Sequence, residues 1–241
     1  MKVLKFGGTS VGTAAAIRNV KHIVESTPKP AVVVVSALGG VTDQLLRLTQ
    51  MAAKGNTAYV AEFDALTERH HQMVADVIVS ERQALLISKL DALLGELRSI
   101  LHGVCLIQDL TPKTADAIVA YGERLSSLIV ASLIDGAQHI DSRQLIKTEH
   151  RNGKHLVDFG QTNQLVAEAL SDCPPVVVMG GFIASDRTTG VTTNLGRGGS
   201  DYTAAIVAAA LQAEALEIWT DVDGFMTADP RVIKTAYTIN E

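Results

Sequence analysis

Residues 3–25 read VLKFGGTSVGTAAAIRNVKHIVE, and three kinds of signal succeed one another within that stretch. Val3 to Phe6 is a short run of strand length, apolar except for Lys5. Gly7-Gly8-Thr9-Ser10 breaks it, since paired glycines punctuate both regular structures. From Thr13 to Glu25 the apolar residues Ile17, Val20 and Val24 fall on one helical face. The same succession then repeats. Ala31 to Val35 is too apolar to be half exposed and reads as a buried strand. It runs into Ser36-Ala37-Leu38-Gly39-Gly40, and a helical pattern resumes from Val41 through Leu45, Leu48 and Met51.

Further along, Ala58 to Leu101 has few strand signals and predicts two or three long helices inserted between strands. Lys113 to Leu133 predicts another helix, in which Gly122 marks a break or the close approach of another backbone. Gln138 to Asp158 is irregular and suits short strands at an edge. Val176 to Met179 is a second buried strand, followed by Gly180-Gly181-Phe182, and Asp186 to Gly190 is a tight turn between two short strands. Ser200 opens an alanine-rich helix to about Gln212, and Leu216 to Trp219 is the next strand. Strands alternating with helices predict an α/β fold with a mainly parallel central sheet sandwiched by helices.

The 241 residues are 47% hydrophobic but only 4% aromatic, so Val, Leu, Ile and Ala must carry the core. A formal net charge of −5 argues against a general nucleic-acid binder, which would show a basic face. Cys105 and Cys173 are too far apart for a CxxC pair and suggest neither a disulfide framework nor a zinc site. No apolar run approaches the roughly 20 residues that cross a bilayer, and no signal-peptide pattern opens the chain. The expected setting is cytoplasmic, with no membrane and no nucleic acid as partner.

Glycine-rich segments recur at the strand–helix junctions: Gly7-Gly8, Gly39-Gly40, Gly180-Gly181 and Gly196-Arg197-Gly198-Gly199. In a parallel sheet such turns gather at the carboxyl edge of the strands, where ligands bind. Glycine lets backbone approach a polyphosphate, and helix N-termini offer it free N–H donors. The familiar phosphate motifs are absent, however. Thr13-Ala14 stands where a Walker A loop needs Lys-Ser/Thr, and Asp201 replaces the third glycine of a G-x-G-x-x-G. Lys5 is the sharper clue. A lysine one residue before the Phe6-Gly7-Gly8 turn is either a snorkelling strand-end side chain or an ammonium aimed at a transferring phosphoryl group.

At these residues the sequence resembles the aspartokinases of the amino-acid kinase fold. The resemblance starts with Lys5-Phe6-Gly7-Gly8-Thr9-Ser10-Val11 and continues with Val35-Ser36-Ala37, Gly40-Val41-Thr42-Asp43 and Gly122-Glu123-Arg124-Leu125-Ser126-Ser127. It extends through Gly196 to Ala205, then Trp219-Thr220-Asp221-Val222-Asp223-Gly224 and Asp229-Pro230-Arg231. Met1 to Lys5 and Leu101 to Val104 look most like the bifunctional aspartokinase–homoserine dehydrogenase type.

The resemblance implies an aspartate kinase that moves the γ-phosphoryl group of ATP to the β-carboxylate of L-aspartate, giving 4-phospho-L-aspartate. That is the first step toward lysine, threonine and methionine. It implies catalytic roles for Lys5, on the γ-phosphoryl group, and for Asp201, holding the lysine. Thr42, Glu123, Arg197 and Ser200 would bind aspartate, Glu123 taking the α-ammonium and Arg197 the α-carboxylate. Gly7, Gly8, Ser36, Gly39, Gly40, Thr220, Asp221, Met226 and Arg231 would bind ATP, with Met226 where the family often has tyrosine. No dedicated metal site is implied, because Mg²⁺ would arrive on the oxygens of Mg-ATP. No general base is needed, since a side-chain carboxylate of pKa about 3.9 is already ionised at neutral pH.

Plainer readings stand beside these. Glu123 alone would be a solvated helix residue, and Asp201 a first-turn acid favoured by the helix dipole. Asp221 and Asp223 lack the remaining spacing of a calcium loop. His70-His71 reads as a surface pair, and Trp219 as a core residue of its strand. The expected division is 1–174, binding amino acid and phosphate, and 175–241, binding nucleotide. The chain is expected to be C-terminally truncated, without part of the nucleotide lobe and without regulatory ACT domains, and to keep its aspartate site better than its ATP site. It is compatible with a homo-oligomer. A sister amino-acid kinase and an inactive, aspartate-binding fragment are the alternative readings.

Overall fold

The computed structural model describes residues 1–151, 153–171, 174–220, 224, 226–228 and 232–239. In chain order the elements are β1 (Lys2–Phe6), α1 (Ala14–Ser26), β2 (Ala31–Val35), α2 (Val41–Ala53), α3 (Tyr59–Val77) and α4 (Ser80–Ile107). There follow α5 (Pro112–Val119), α6 (Tyr121–Leu133), β3 (Ala137–Ile140), β4 (Lys147–Arg151), β5 (Lys154–Val157) and α7 (Phe159–Leu170). The last are β6 (Val176–Gly180), β7 (Ile183–Asp186), β8 (Thr192–Asn194), α8 (Gly199–Ala210) and β9 (Ala215–Trp219).

A five-stranded sheet in the order β3-β6-β2-β1-β9 forms the centre, and all its pairings are parallel. β2 and β6 are buried along their whole length, as the AVVVV and VVVMG runs require. Side chains alternate across this sheet. From β1 and β2, Leu4, Phe6, Val33 and Val35 join a core with α1, α2, α3, α4 and α6. On the other face Val3, Val32, Val34, Val177 and Met179 pack with residues of α7 and α8. Lys5 has the parity of Val3 and therefore points to the α8 side, at the carboxyl end of its strand.

Each helix has a local reason for its place. The Thr13 hydroxyl accepts from the Ala16 N–H and caps α1. In α4 the buried residues Leu86, Leu90, Leu94, Leu97, Leu101 and Val104 recur every three or four positions, a single stripe facing the core. The inserted helical region is thus two helices, α3 and α4. The expected helix over 113–133 divides at Ala120 into α5 and α6, with Gly122 inside α6. A Cβ at Gly122 would stand 2.7 Å from that of Ala37, so the glycine marks close approach.

Of the irregular stretch 138–158, β3 does form an edge of the central sheet. β4 and β5 instead join β7 and β8 in a separate four-stranded sheet, ordered β5-β4-β7-β8. Two expectations are corrected. His70 is fully buried, because it lies on the core-facing stripe of α3 with Leu66, Met73 and Val74 while its neighbour His71 turns outward to Asp91. Trp219 is 39% exposed, stacking on Phe6 from β9 at the sheet edge.

Candidate active site

The ends of β1, β2 and β6 and the N-termini of α2, α6 and α8 converge on a cleft of about 380 Å³. One wall is backbone. Gly8, Gly39 and Gly40 line it, and the loops after β1 and β2 are in direct contact. A Cβ at Gly39 would lie 3.1 Å from the Gly8 carbonyl oxygen and 3.5 Å from Gly12 Cα, so a side chain there would press the two loops apart by a few tenths of an ångström. α2 starts after Gly40 (φ 80°) and α8 after Gly198 (φ 74°), and neither has a side-chain cap. The Val41 and Gly199 N–H groups donate to the Leu38 and Gly196 carbonyls at 2.9 Å, which leaves the next N–H groups, those of Thr42 and Asp43 and of Ser200 and Asp201, to meet an anion, and the helix dipoles favour one.

The opposite wall carries charged side chains. Lys5 Nζ lies 2.7 Å from Asp201 Oδ1, joining the end of β1 to the first turn of α8. Glu123, in the first turn of α6, is buried, and its Oε1 accepts from the Ala37 N–H at 3.1 Å. Its Oε2 is buried without a partner. Burial pushes this carboxyl up to about 7, against the backbone hydrogen bond from Ala37 that favours its charged form. α6 reaches this position because Gly180 has no side chain. A Cβ there would stand 3.0 Å from the Glu123 Cβ. Ser126 fastens the same helix to the β2 loop by donating to the Ser36 carbonyl at 2.7 Å.

Arg197 sits exposed at the rim between Gly196 and Gly198, both at positive φ. Among the described residues its guanidinium makes no ion pair or hydrogen bond. Thr42 and Ser200 line the cleft from the first turns of α2 and α8. A Cβ at Gly181 would lie 2.6 Å from that of Ser200, so that start of α8 is seated directly on the turn after β6.

Of the residues singled out in the sequence, Lys5, Gly8, Ser36, Gly39, Gly40, Thr42, Glu123, Arg197, Ser200 and Asp201 line this one cleft. Gly7 adjoins it, since a Cβ there would lie 3.5 Å from Lys5 Nζ. Thr220 follows β9, and Met226 forms an isolated bridge with Thr238; neither is among the cleft-lining residues. Asp221 and Arg231 lie outside the described residues.

The motif reading missed Phe182, Asp43 and the Ala37 N–H. Phe182 lines the cleft with φ 65°, unusual for a bulky residue, and donates its N–H to the Thr203 hydroxyl at 3.0 Å. Its position directly after Gly180-Gly181 was the available signal.

The sequence profile of the amino acid kinase family matches residues 1–241. The chain belongs to the amino acid kinase family. Within the family, the motif resemblance is matched by its relatives. Lysine-sensitive aspartokinase 3 of Escherichia coli is 34% identical over 245 residues, covering 99% of this chain and 53% of that protein. The chloroplastic bifunctional aspartokinase/homoserine dehydrogenase 1 of Zea mays is 31% identical over 245 residues, covering 99% of this chain and 26% of that protein. Both types of relative occur, so they do not separate the bifunctional type from the monofunctional one.

The crystal structure of E. coli aspartokinase III in complex with aspartate and ADP, in its R-state, superposes with a TM-score of 0.88 at 32% identity. It covers 100% of this chain and 53% of that one. The T-state of the same enzyme, with lysine and aspartate, gives 0.85. The α/β fold with its mainly parallel sheet is thus that of the aspartokinase structures. The chain spans about a quarter to about half the length of these relatives. Among its described residues no helix is long and apolar enough to cross a membrane.

Proposed function

We propose that this chain carries the site of an aspartate kinase, which transfers the γ-phosphoryl group of ATP to the β-carboxylate of L-aspartate. One observation carries the reading: the buried Glu123 carboxylate, with one oxygen unpartnered, shares a cleft with Lys5, Arg197 and two uncapped helix N-termini. An amino acid brings an ammonium and a carboxylate, and the site offers a counter-charge for each. Glu123 takes the α-ammonium. Arg197 takes the α-carboxylate, which a guanidinium can grip with two parallel hydrogen bonds. Thr42 and Ser200 add hydroxyls at the helix starts.

The β-carboxylate attacks without losing a proton, so catalysis is positioning and charge stabilisation. Lys5, held by Asp201, places an ammonium where negative charge shifts toward the leaving oxygen. The backbone wall of Gly7, Gly8, Gly39 and Gly40, with Ser36, holds the phosphates. Mg²⁺ supplies neutralisation of phosphate charge when bound. Asp43 at the cleft would offer it a carboxylate, as would the second oxygen of Asp201, whose Oδ1 is held by Lys5, beside the nucleotide's own oxygens.

In this reading residues 1–174 supply most of the amino-acid and phosphate contacts, and 175–241 contribute to the nucleotide side, including Thr220, Asp221, Met226 and Arg231. The product, 4-phospho-L-aspartate, is the activated precursor for lysine, threonine and methionine, and a cytoplasmic setting suits a chain that uses soluble substrates. The test is titration of the folded chain with L-aspartate and then Mg-ATP, followed by an ADP-release assay. Aspartate binding is expected, with selectivity over glutamate. A folded sample that binds no aspartate would sink the reading.

A further inference from the structure

Arg69 lies on α3, outside the cleft, with its guanidinium against the back of the glycine loops. Its Nη2 donates to the Gly39 carbonyl at 2.8 Å and to the Gly12 carbonyl at 3.4 Å. Gly12 belongs to the loop after β1, and Gly39 to the loop after β2. A single part-buried side chain therefore ties together the two segments that make the backbone wall. Those segments have no side chains of their own at the contact, because Gly8, Gly12 and Gly39 meet backbone to backbone. Two carbonyl oxygens directed at one region repel each other unless a donor stands between them, and the two protons of Nη2 serve both.

The peptide geometry extends this to the cleft. In a planar trans peptide the carbonyl of one residue and the N–H of the next point in opposite directions. With the Gly39 oxygen held by Arg69, the Gly40 N–H is turned away from Arg69, and Gly40 lines the cleft. Arg69 thereby sets the orientation of a donor it does not touch.

We infer that Arg69 is a positioning residue for the phosphate-binding wall: it fixes the spacing of the two glycine loops and aims the Gly39–Gly40 peptide at the ligand. The inference rests on the phosphoryl-transfer reading of the cleft and concerns its nucleotide side alone. Arg69→Met keeps the stem and removes the donors. Calorimetric titration with Mg-ATP is expected to show affinity about tenfold weaker, the scale of one lost hydrogen bond to a charged group, with L-aspartate affinity within about twofold.

Arg69→Lys, which keeps a charge and donors, should fall between the two. Arg98→Met, which removes a cation stacked over Phe63 on the helical side, should leave Mg-ATP binding unchanged. A merely structural role for Arg69 would lower both affinities together, and that result would overturn the proposal, as would unchanged Mg-ATP binding. Should Arg69→Met fail to fold, Arg69→Gln gives the same readout, and failure of both would make Arg69 a folding residue and reject the idea. Wild-type chain that binds aspartate but no Mg-ATP would reject the inference while leaving the aspartate site standing. Wild type that binds neither would remove the reading beneath it.

Discussion

Where the cleft is bounded by the ends of β1 and β2 it meets backbone, whereas on the side of α6 and α8 it meets a carboxylate, a guanidinium and an ion pair. Backbone N–H groups treat all oxyanions alike, so that wall suits a polyphosphate, whose oxygens differ little from one another. Side chains distinguish charge sign and distance, so the other wall suits a ligand with an ammonium and carboxylates in fixed relation. The contrast also divides how each wall can fail. The first is broken by adding atoms, the second by removing charge.

The largest expected effect is on the side-chain wall. Glu123→Gln keeps an acceptor for the Ala37 N–H but removes the partner of the substrate ammonium. Aspartate affinity should fall by about 2 kcal/mol or more, roughly thirtyfold, while Mg-ATP binding measured in the same titrations holds. Equal loss of both ligands would erase the distinction between the walls. Gly39→Ala attacks the backbone wall by forcing the Gly8 loop away. Overpacking of this kind costs about 1–3 kcal/mol, and Mg-ATP affinity should drop about tenfold with aspartate affinity retained.

The third prediction concerns pH. Aspartate's ammonium needs Glu123 ionised, and in the free chain that carboxyl is pushed up to about 7. Binding should weaken about tenfold between pH 8 and pH 6, and the dependence should vanish in Glu123→Gln. A flat wild-type profile would mean that Glu123 is not the ammonium's partner.

The last prediction concerns stability. Glu123 has a folded value of about 7 against an ordinary 4.5, so its contribution is greatest below 4.5 and is lost as pH rises toward 7. Buried His70 has the opposite sign. Burial lowers it to about 4 from 6.5, so its contribution is present above 6.5 and is lost as pH falls toward 4. The two oppose each other between about pH 4.5 and 6.5. In Glu123→Gln the acid-side loss of stability, followed by denaturant titration, should steepen by roughly 2 kcal/mol across that window.

What could be read in advance follows from how each part is buried. The AVVVV and VVVMG strands are buried on both faces, so they show as unbroken apolar runs, and the glycine turns after them mark the cleft. The second sheet hid itself. Its strands KTEHR, KHLV and TTN are polar, and its interior uses hydroxyls, with Thr148 and Thr193 2.8 Å apart, where an apolar alternation would have been visible. His70 and Trp219 went wrong for related reasons. Residue type suggested surface for one and core for the other, but the helical face and the edge position decided. Arg69 was not singled out in the sequence, because nothing in its own neighbourhood there announces carbonyls 30 and 57 residues away.

Phe182 leaves one more consequence. At φ 65° the backbone by itself favours glycine, since any Cβ is crowded there, whereas the ring packs against the hydrophobic core. The phenyl ring nevertheless covers Gly199, where a Cβ would come within 2.7 Å of Phe182 Cδ2, and faces the cleft. Backbone torsion taken alone would thus recommend Phe182→Gly to an engineer, yet the change would relax the backbone only by opening a gap above the first turn of α8. Position 182 is one where backbone ease and side-chain packing pull in opposite directions, and a melting-temperature screen would report only their sum.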